Sequence, residues 1–445
     1  MSFQELIDTI SEIRDQSVFV CFNPEILDFT EKDSENQIII HLQNNKSVTI
    51  PLRDESLFFL ISMLKVSLFS KGMKVLCWNW KSFASFILNR TGKEYLVSGS
   101  IIDLKVIESY LGKKTKSPKD LKEALSRLKQ VIADGSWRSI EPIYKSLHTN
   151  LITTVIPHLE TSGVIDASKG RKVFANYEIS GQENGRLLCS NHFRNGFVPH
   201  AMSPETRSSI KPISCEDYFM SFDFRAMEVF VLAWLSKDPF LVEACKDSDV
   251  YCSLYEKILE KAPNKKSDRD FLKKCFLPVI YGQSSYSLGQ RCGIPKDAAD
   301  SIVNRINSLF STAVNWVSCQ EQQLKSLGYA RDNFGKRRFF EEGKEYLVRN
   351  FCVQSPAAVV CLEKLCDLFF ALKGKTSIAF MIHDSYTIYF KKENWKELYS
   401  ISEQILLGES SFCPGLKLKV SCRVGKNLNE LKSFKPKENL YARNM

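Results

Sequence analysis

Two aspartates stand in runs whose other residues would exclude them. Asp223 lies in DYFMSFDF (217–224) and Asp384 in FMIHDSYTIYF (380–390), both dominated by apolar and aromatic side chains. Desolvating a carboxylate in such a run is costly unless a cation or a hydrogen-bond donor meets it. A third segment, DRDFLKKCFLPVIYGQ (268–283), supplies cations. Arg269, Lys273, Leu277 and Tyr281 recur every four residues there, so on a helix they share one stripe. Two positive charges ahead of an aromatic suit a phosphate-bearing ligand whose base or sugar stacks farther along. If Asp223 and Asp384 converge they repel each other unless divalent cations lie between them, and hard oxygen ligands favour Mg²⁺ or Mn²⁺. A two-metal centre of that kind clamps the attacking and leaving oxygens of an in-line phosphoryl displacement.

The elements that must position these groups follow from local patterning. Residues 217–224 predict a strand, and from Ala226 the spacing turns helical, with Val229, Leu232, Ala233 and Leu235 apolar. Asp223 therefore ends the strand and Glu228 falls in the first helical turn, where the helix dipole alone favours an acid by under about 1 kcal/mol. The aromatic run around Asp384 predicts a single buried strand entered by a turn at KGKT. Pro278 predicts a kink, or two helical halves, because inside a helix it removes a hydrogen bond and clashes with the preceding turn.

The chain has 445 residues, 44% hydrophobic, enough for two or three domains. Its net charge of +10 suits a polyanionic partner, and KILEKAPNKKSDRDFLKK (257–274) and FGKRRFF (334–340) mix cations with apolar anchors. Fourteen cysteines are scattered singly with no CxxC pair, which fits reduced thiols and argues against a zinc site. No apolar stretch is long enough to span a bilayer, and Met1–Arg14 is too mixed for a signal peptide, so an intracellular protein without membrane partners is expected. Cytoplasm, nucleoid, and an organelle or viral origin all fit. Residues 1–112 alternate strand-like and helical runs, and GKKTKSPKD (112–120) has the composition of a linker.

At this point a resemblance becomes plain. The chain resembles the family A DNA polymerases, the DNA polymerase I type, over roughly residues 175–435. SFDFRAMEVFVLAWLSKDP resembles the family's first palm motif, RDFLKKCFLPVIYG its fingers helix, and IHDS its third motif, usually H-D-E. NGRL (184–187), FGKRR (334–338), NFCVQSPAA (350–358) and LKVSCRVGKNLNEL (418–431) resemble further family segments in the same order. The resemblance implies a right-hand polymerase: palm with an antiparallel sheet, helical fingers and a short thumb, acting on primer–template DNA and deoxynucleoside triphosphates. Asp223 and Asp384, with the backbone carbonyl of Phe224, would hold two Mg²⁺ ions, for which Mn²⁺ can substitute. Arg269 and Lys273 would contact the triphosphate, Leu277 and Tyr281 would line the pocket, and Glu228 with Tyr281 would exclude a ribose 2′-hydroxyl. Arg186, Asn350, Gln354 and His383 would contact the primer–template. Replication accessory proteins are further candidate partners.

The chain also departs from the family pattern. Ser385 replaces the usual acid, Leu277 an aromatic, and Ala226 and Phe230 polar residues, which bears on nucleotide selectivity. Residues 1–112 resemble the family's RNase H-like proofreading domain, VCFNPE (20–25) matching the strand ending in D-x-E and LCWNWKSF (76–83) matching N-x-x-x-D. Expected acids are missing at Asn23 and Phe83, while Glu25 and Asn79 remain, which implies a domain without 3′–5′ exonuclease activity. Asp103 has the setting of a helix-start residue. The implied plan is α/β and α+β: a degenerate exonuclease-like domain at 1–112, a reduced thumb at 113–172, palm at 173–237 and 346–445, and fingers at 238–345. A non-catalytic nucleic-acid-binding homologue, or a single-subunit RNA polymerase, which Glu228 disfavours, are the alternatives.

Overall fold

The computed structural model describes residues 74–91, 100–113, 116–179, 181–190, 196–264 and 266–434, together with three strands nearer the N-terminus. The chain divides into two compact units. The first comprises residues 1–223, 362–405 and 421–445, and the second residues 224–361 and 406–420.

In the first unit, β1 (Phe19–Phe22), β2 (Gln37–His41), β3 (Ser47–Pro51), β4 (Lys74–Trp78) and β5 (Ser100–Asp103) form a sheet of order β3-β2-β1-β4-β5. The β1–β2 and β2–β3 pairs are antiparallel, and the β1–β4 and β4–β5 pairs parallel. Helix α1 (Trp80–Thr91) and helix α2 (Leu104–Tyr110) cross between the parallel strands or follow them. Asp103 starts α2 as its sequence setting predicts. Its buried carboxylate accepts from the backbone of Lys105 at 3.0 Å, Asn79 at 3.1 Å and Trp80 at 2.7 Å, so it ties two strand ends together. Burial raises its pKa, and those three N–H donors oppose the rise.

A second sheet in this unit contains β6 (Tyr218–Phe224), β7 (Ile378–Ile382), β8 (Ser385–Phe390), β9 (Val420–Gly425) and β10 (Lys432–Phe434), in the order β7-β8-β6-β9-β10. β6 is buried on both faces along most of its length. On one face Phe222 meets Tyr399 of the helix Trp395–Leu407 at 5.8 Å, and Tyr399 and Trp395 both pack on Phe434. The other face carries the directly opposed rows Phe219–Tyr389, Ser221–Thr387 and Asp223–Ser385. Polarity thus rises along the sheet toward Asp223, and the Thr387 hydroxyl donates to Ser221 at 3.2 Å.

The aromatic run around Asp384 is not one strand. β7 and β8 form a hairpin whose loop is the two residues His383 and Asp384, with Ile382 paired to Ser385. A two-residue loop needs left-handed backbone, which His383 supplies at φ 51°. Asp384 is consequently half-buried at a sheet end rather than sealed inside the sheet.

β7 is an edge strand, and the buried Tyr177 hydroxyl supplies the partners its edge lacks. It accepts from the Met381 N–H at 2.9 Å and donates to the Met381 carbonyl at 3.1 Å.

The second unit is mainly helical: α3 (Met227–Ser236), α4 (Val250–Leu259), α5 (Lys266–Ile280), α6 (Ser285–Cys292), α7 (Lys296–Leu309) and α8 (Ser311–Leu327), with α9 (Val348–Leu372) running on into the first unit. The strand-to-helix change predicted at Ala226 occurs there, with Ala226 at φ 51° making the corner. Helix α5 does not break at Pro278. The proline sits in the last turn, where the missing N–H costs one bond, and the backbone closes with Tyr281 N–H to Leu277 and Gln283 N–H to Pro278. The core side of α5 presents Leu272, Cys275, Phe276, Val279 and Ile280, all buried, with Phe276 edge-on to Phe310 at 5.1 Å.

Replacing Tyr177 by Phe strands both Met381 backbone groups. The expected loss is about 2 kcal/mol, since an unmet buried polar group costs about 1–3 kcal/mol, read as a lower urea midpoint with an unchanged slope.

Candidate active site

In the first unit the β6–β8 register brings the two sequence-predicted carboxylates to one sheet end. Asp223 is directly opposite Ser385, and Asp384 is the residue before Ser385. Directly opposed Cα atoms in antiparallel strands lie about 5 Å apart and successive ones about 3.8 Å, so the Cα atoms of Asp223 and Asp384 lie within about 9 Å of each other. Both are half-buried, unlike the buried residues that precede Asp223 and follow Ser385. The Ser385 hydroxyl lies 3.4 Å from that of Ser221, continuing the polar row without adding charge. Ser421 Oγ donates to the Asp223 carbonyl at 3.3 Å, joining β9 to this end.

His383 stands at the same turn, its ring 5.6 Å from that of His200. Desolvation by surrounding protein, then the Arg186 guanidinium and then His200, lower its pKa, and Asp384 only partly compensates. Arg186 follows a turn in which its N–H donates to the Asn184 side chain at 3.2 Å. Asp223, Asp384, His383 and Arg186 are thus gathered within one unit.

In the second unit, α5 carries the four-residue stripe on its outer side. Lys273 is exposed, while Arg269, Leu277 and Tyr281 are half-buried. The Tyr281 hydroxyl donates to Glu228 of α3 at 3.3 Å, which joins the two residues that the family resemblance pairs. Asn350 and Gln354 lie one turn apart on α9 and are half-buried, while Phe351, Cys352 and Val353 between them are buried.

Sequence reasoning missed the groups that hold this set. Asp249 accepts from Arg269 Nε at 2.6 Å. Arg349 forms a two-pronged pair with Glu321 at 2.5 and 2.9 Å, and its guanidinium lies where a Cβ on Gly282 would go. With φ at 92°, Gly282 is the residue this turn after Tyr281 requires. Buried Asp332 takes the N–H groups of Phe334 and Lys336, each at 2.8 Å, and the Ser355 hydroxyl at 2.6 Å, so it shapes the FGKRR loop. An acid just ahead of a helix signals a cap, which made Asp249 detectable as a cap but not as the partner of Arg269.

No group of three or more His, Cys, Asp or Glu suited to a metal occurs among the described residues. Two carboxylates nevertheless suit Mg²⁺, which usually takes one or two protein carboxylates and completes its shell with water and substrate phosphates. No helix among the described residues is long and apolar enough to cross a membrane.

The sequence model of DNA polymerase family A matches residues 102–430, beginning well ahead of the 175–435 span suggested by motifs. DNA polymerase I of Borreliella burgdorferi is 23% identical over 356 residues, 74% of this chain and 35% of that protein. DNA polymerase I of Bacillus subtilis is 22% identical over 271 residues, 57% of this chain and 31% of that protein. The chain therefore spans about a third of the length of these relatives. The POL domain of Pol1 from M. smegmatis, solved in complex with DNA primer-template and dNTP, superposes with a TM-score of 0.75 at 14% identity, covering 97% of this chain and 99% of that one. The two share a fold.

The His383 environment has a measurable consequence. In an NMR pH series its imidazole should titrate below the ordinary 6.5, and Arg186→Ala should move the midpoint part of the way back up. Because the folded state binds this proton less readily than the unfolded chain, stability from neutral His383 is complete above the unfolded value. It is lost as pH falls from there through the folded value.

Proposed function

We propose a template-directed DNA polymerase reaction for this chain, which belongs to DNA polymerase family A. The substrates are a primer–template DNA and deoxynucleoside triphosphates, and the reaction joins an incoming nucleotide to the primer 3′ end. The observation that carries this most strongly is the register that sets Asp223 opposite Ser385 and beside Asp384. Asp223, Asp384 and the Phe224 carbonyl are the groups that would hold two Mg²⁺ ions, or Mn²⁺ in their place. Bound there, the ions would neutralise phosphate charge and activate the primer hydroxyl.

The remaining roles belong to the chain's own side chains. Arg269 and Lys273 bind the triphosphate and offset its charge. Leu277 and Tyr281 line the nucleotide pocket, and the Tyr281–Glu228 hydrogen bond holds a wall against a 2′-hydroxyl, selecting deoxynucleotides. Leu277 offers less stacking surface than the aromatic common at that position, so base and sugar selection rest more heavily on Glu228. His383, kept neutral, contacts the primer end without adding charge. Arg186, Asn350 and Gln354 grip the duplex through its backbone and minor-groove shape rather than its sequence. A DNA substrate places the work inside the cell.

We also propose that residues 1–112 form an RNase H-like domain without 3′–5′ exonuclease activity. The mixed strand order β3-β2-β1-β4-β5 supports the fold assignment. Phe83 is 2% exposed and packs on Trp80 at 5.0 Å, a core role that no metal ligand replaces. Asn79 is buried, its side-chain oxygen taken by Ser82, and Asp103 is committed to three backbone donors. Asn23 and Glu25 lie outside the described residues. Residues 113–172 are proposed as a reduced thumb, 173–237 and 346–445 as palm, and 238–345 as fingers.

Asp223→Asn and Asp384→Asn should each lower primer extension about a thousandfold, the equivalent of about 4 kcal/mol of transition-state stabilisation, with duplex binding retained. Extension at the parental rate in either variant removes the two-metal assignment. Glu228→Ala should raise ribonucleotide incorporation relative to deoxynucleotide. A parental chain that binds primer–template but never extends it is a binding homologue instead.

A further inference from the structure

Arg269 is the innermost cation of the α5 stripe, and it is not free to rotate. Its Nε donates to Asp249 Oδ2 at 2.6 Å, and its guanidinium carbon lies 5.5 Å from the ring centroid of Tyr251. Nη1 reaches Asp270, on the more exposed side, at 3.3 Å. Asp249 is itself fixed, because its Oδ1 accepts from the N–H groups of Tyr251 at 3.0 Å and Cys252 at 3.4 Å as the cap of α4. One carboxylate therefore joins the start of α4 to the cation of α5. Burial pushes the Asp249 carboxyl up, and the Arg269 guanidinium with the two capping N–H groups more than offsets this, holding it below the usual range and charged.

The choice of atom matters. A guanidinium bound through Nε keeps its Nη1–Nη2 edge turned away from that anchor, here with Nη1 shared by the more exposed Asp270, and a planar fork held in one orientation loses less freedom when it meets a phosphate. We infer that Asp249 is a positioning residue for nucleotide binding, orienting the Arg269 guanidinium toward the triphosphate through the Nε bond. This inference rests on the nucleotide role proposed for α5, and it assigns to Asp249 no contact with substrate. Asp249 carries a negative charge beside a site for a polyanion, so if it acted only through that charge its removal would tighten nucleotide binding. The positioning role requires the opposite sign.

Asp249→Asn separates positioning from capping. Asn is as good an N-cap as Asp, so the helix start survives while the charged acceptor of Arg269 Nε is lost. Expected in primer extension by the full chain is a rise of about tenfold in the dNTP KM, a kcat within about twofold, and an unchanged melting temperature. Asp249→Glu, which keeps the charge, should recover part of the KM loss. An unchanged or lowered KM in Asp249→Asn overturns the inference. If Asp249→Asn also melts lower, the Arg269→Ala background decides. Equal KM with and without Asp249→Asn there sustains the role, and a further rise overturns it. A parental chain that extends no primer would refute the polymerase assignment itself, an outcome distinct from any of these.

Discussion

The strand register that sets Asp223 opposite Ser385, one residue from Asp384, is the constraint on which the rest depends. Asp223 is held opposite Ser385 by six consecutive cross-strand pairs, and a one-residue slip would turn its side chain to the other face of the sheet. The slip is opposed on both faces. Phe222 is locked against Tyr399 on one, and Ser221 is hydrogen-bonded to Thr387 on the other. At the edge, Tyr177 fixes β7 through both backbone groups of Met381, so the hairpin that presents Asp384 cannot drift along the sheet.

Helix α5 of the second unit is organised differently. It buries one face and carries the Arg269–Tyr281 stripe on the other, and ion pairs involving other helices stand at both ends of that stripe. Asp249 holds Arg269 near the start. Beyond the end, Arg349, itself paired with Glu321, occupies the space over Gly282, directly after Tyr281. Partly exposed ion pairs of this kind add little net stability. Pro278 fits the same economy, because in the last turn it forgoes one backbone bond just where the helix must stop and Tyr281 must turn toward Glu228.

Much of this was legible in the sequence, because local periodicity dictated it. The change from period two to period 3.6 after Phe224 marked the corner at Ala226, and the four-residue recurrence from Arg269 to Tyr281 marked the stripe. What escaped was set by tertiary context. The hairpin at His383–Asp384 carries neither Gly nor Asn, the usual residues for left-handed backbone, so the aromatic run around it looked like one strand. The ion partners Asp249 and Glu321 lie 20 and 28 residues from their arginines and leave no periodic trace. Asp332 makes a local Asx turn at Phe334, but its bond to Ser355 spans 23 residues and leaves no local trace. The placement of Pro278 depended on where the helix ends, the feature a sequence specifies least sharply.

In the proposed reaction Asp223 and Asp384 share divalent cations. A crystal of the chain with primer–template, a non-extendable primer end, dNTP and Mn²⁺ tests it through the anomalous scattering of manganese. Anomalous peaks are expected beside the two carboxylates and the nucleotide phosphates. An ordered primer terminus and dNTP with no peak at either aspartate would contradict the proposal.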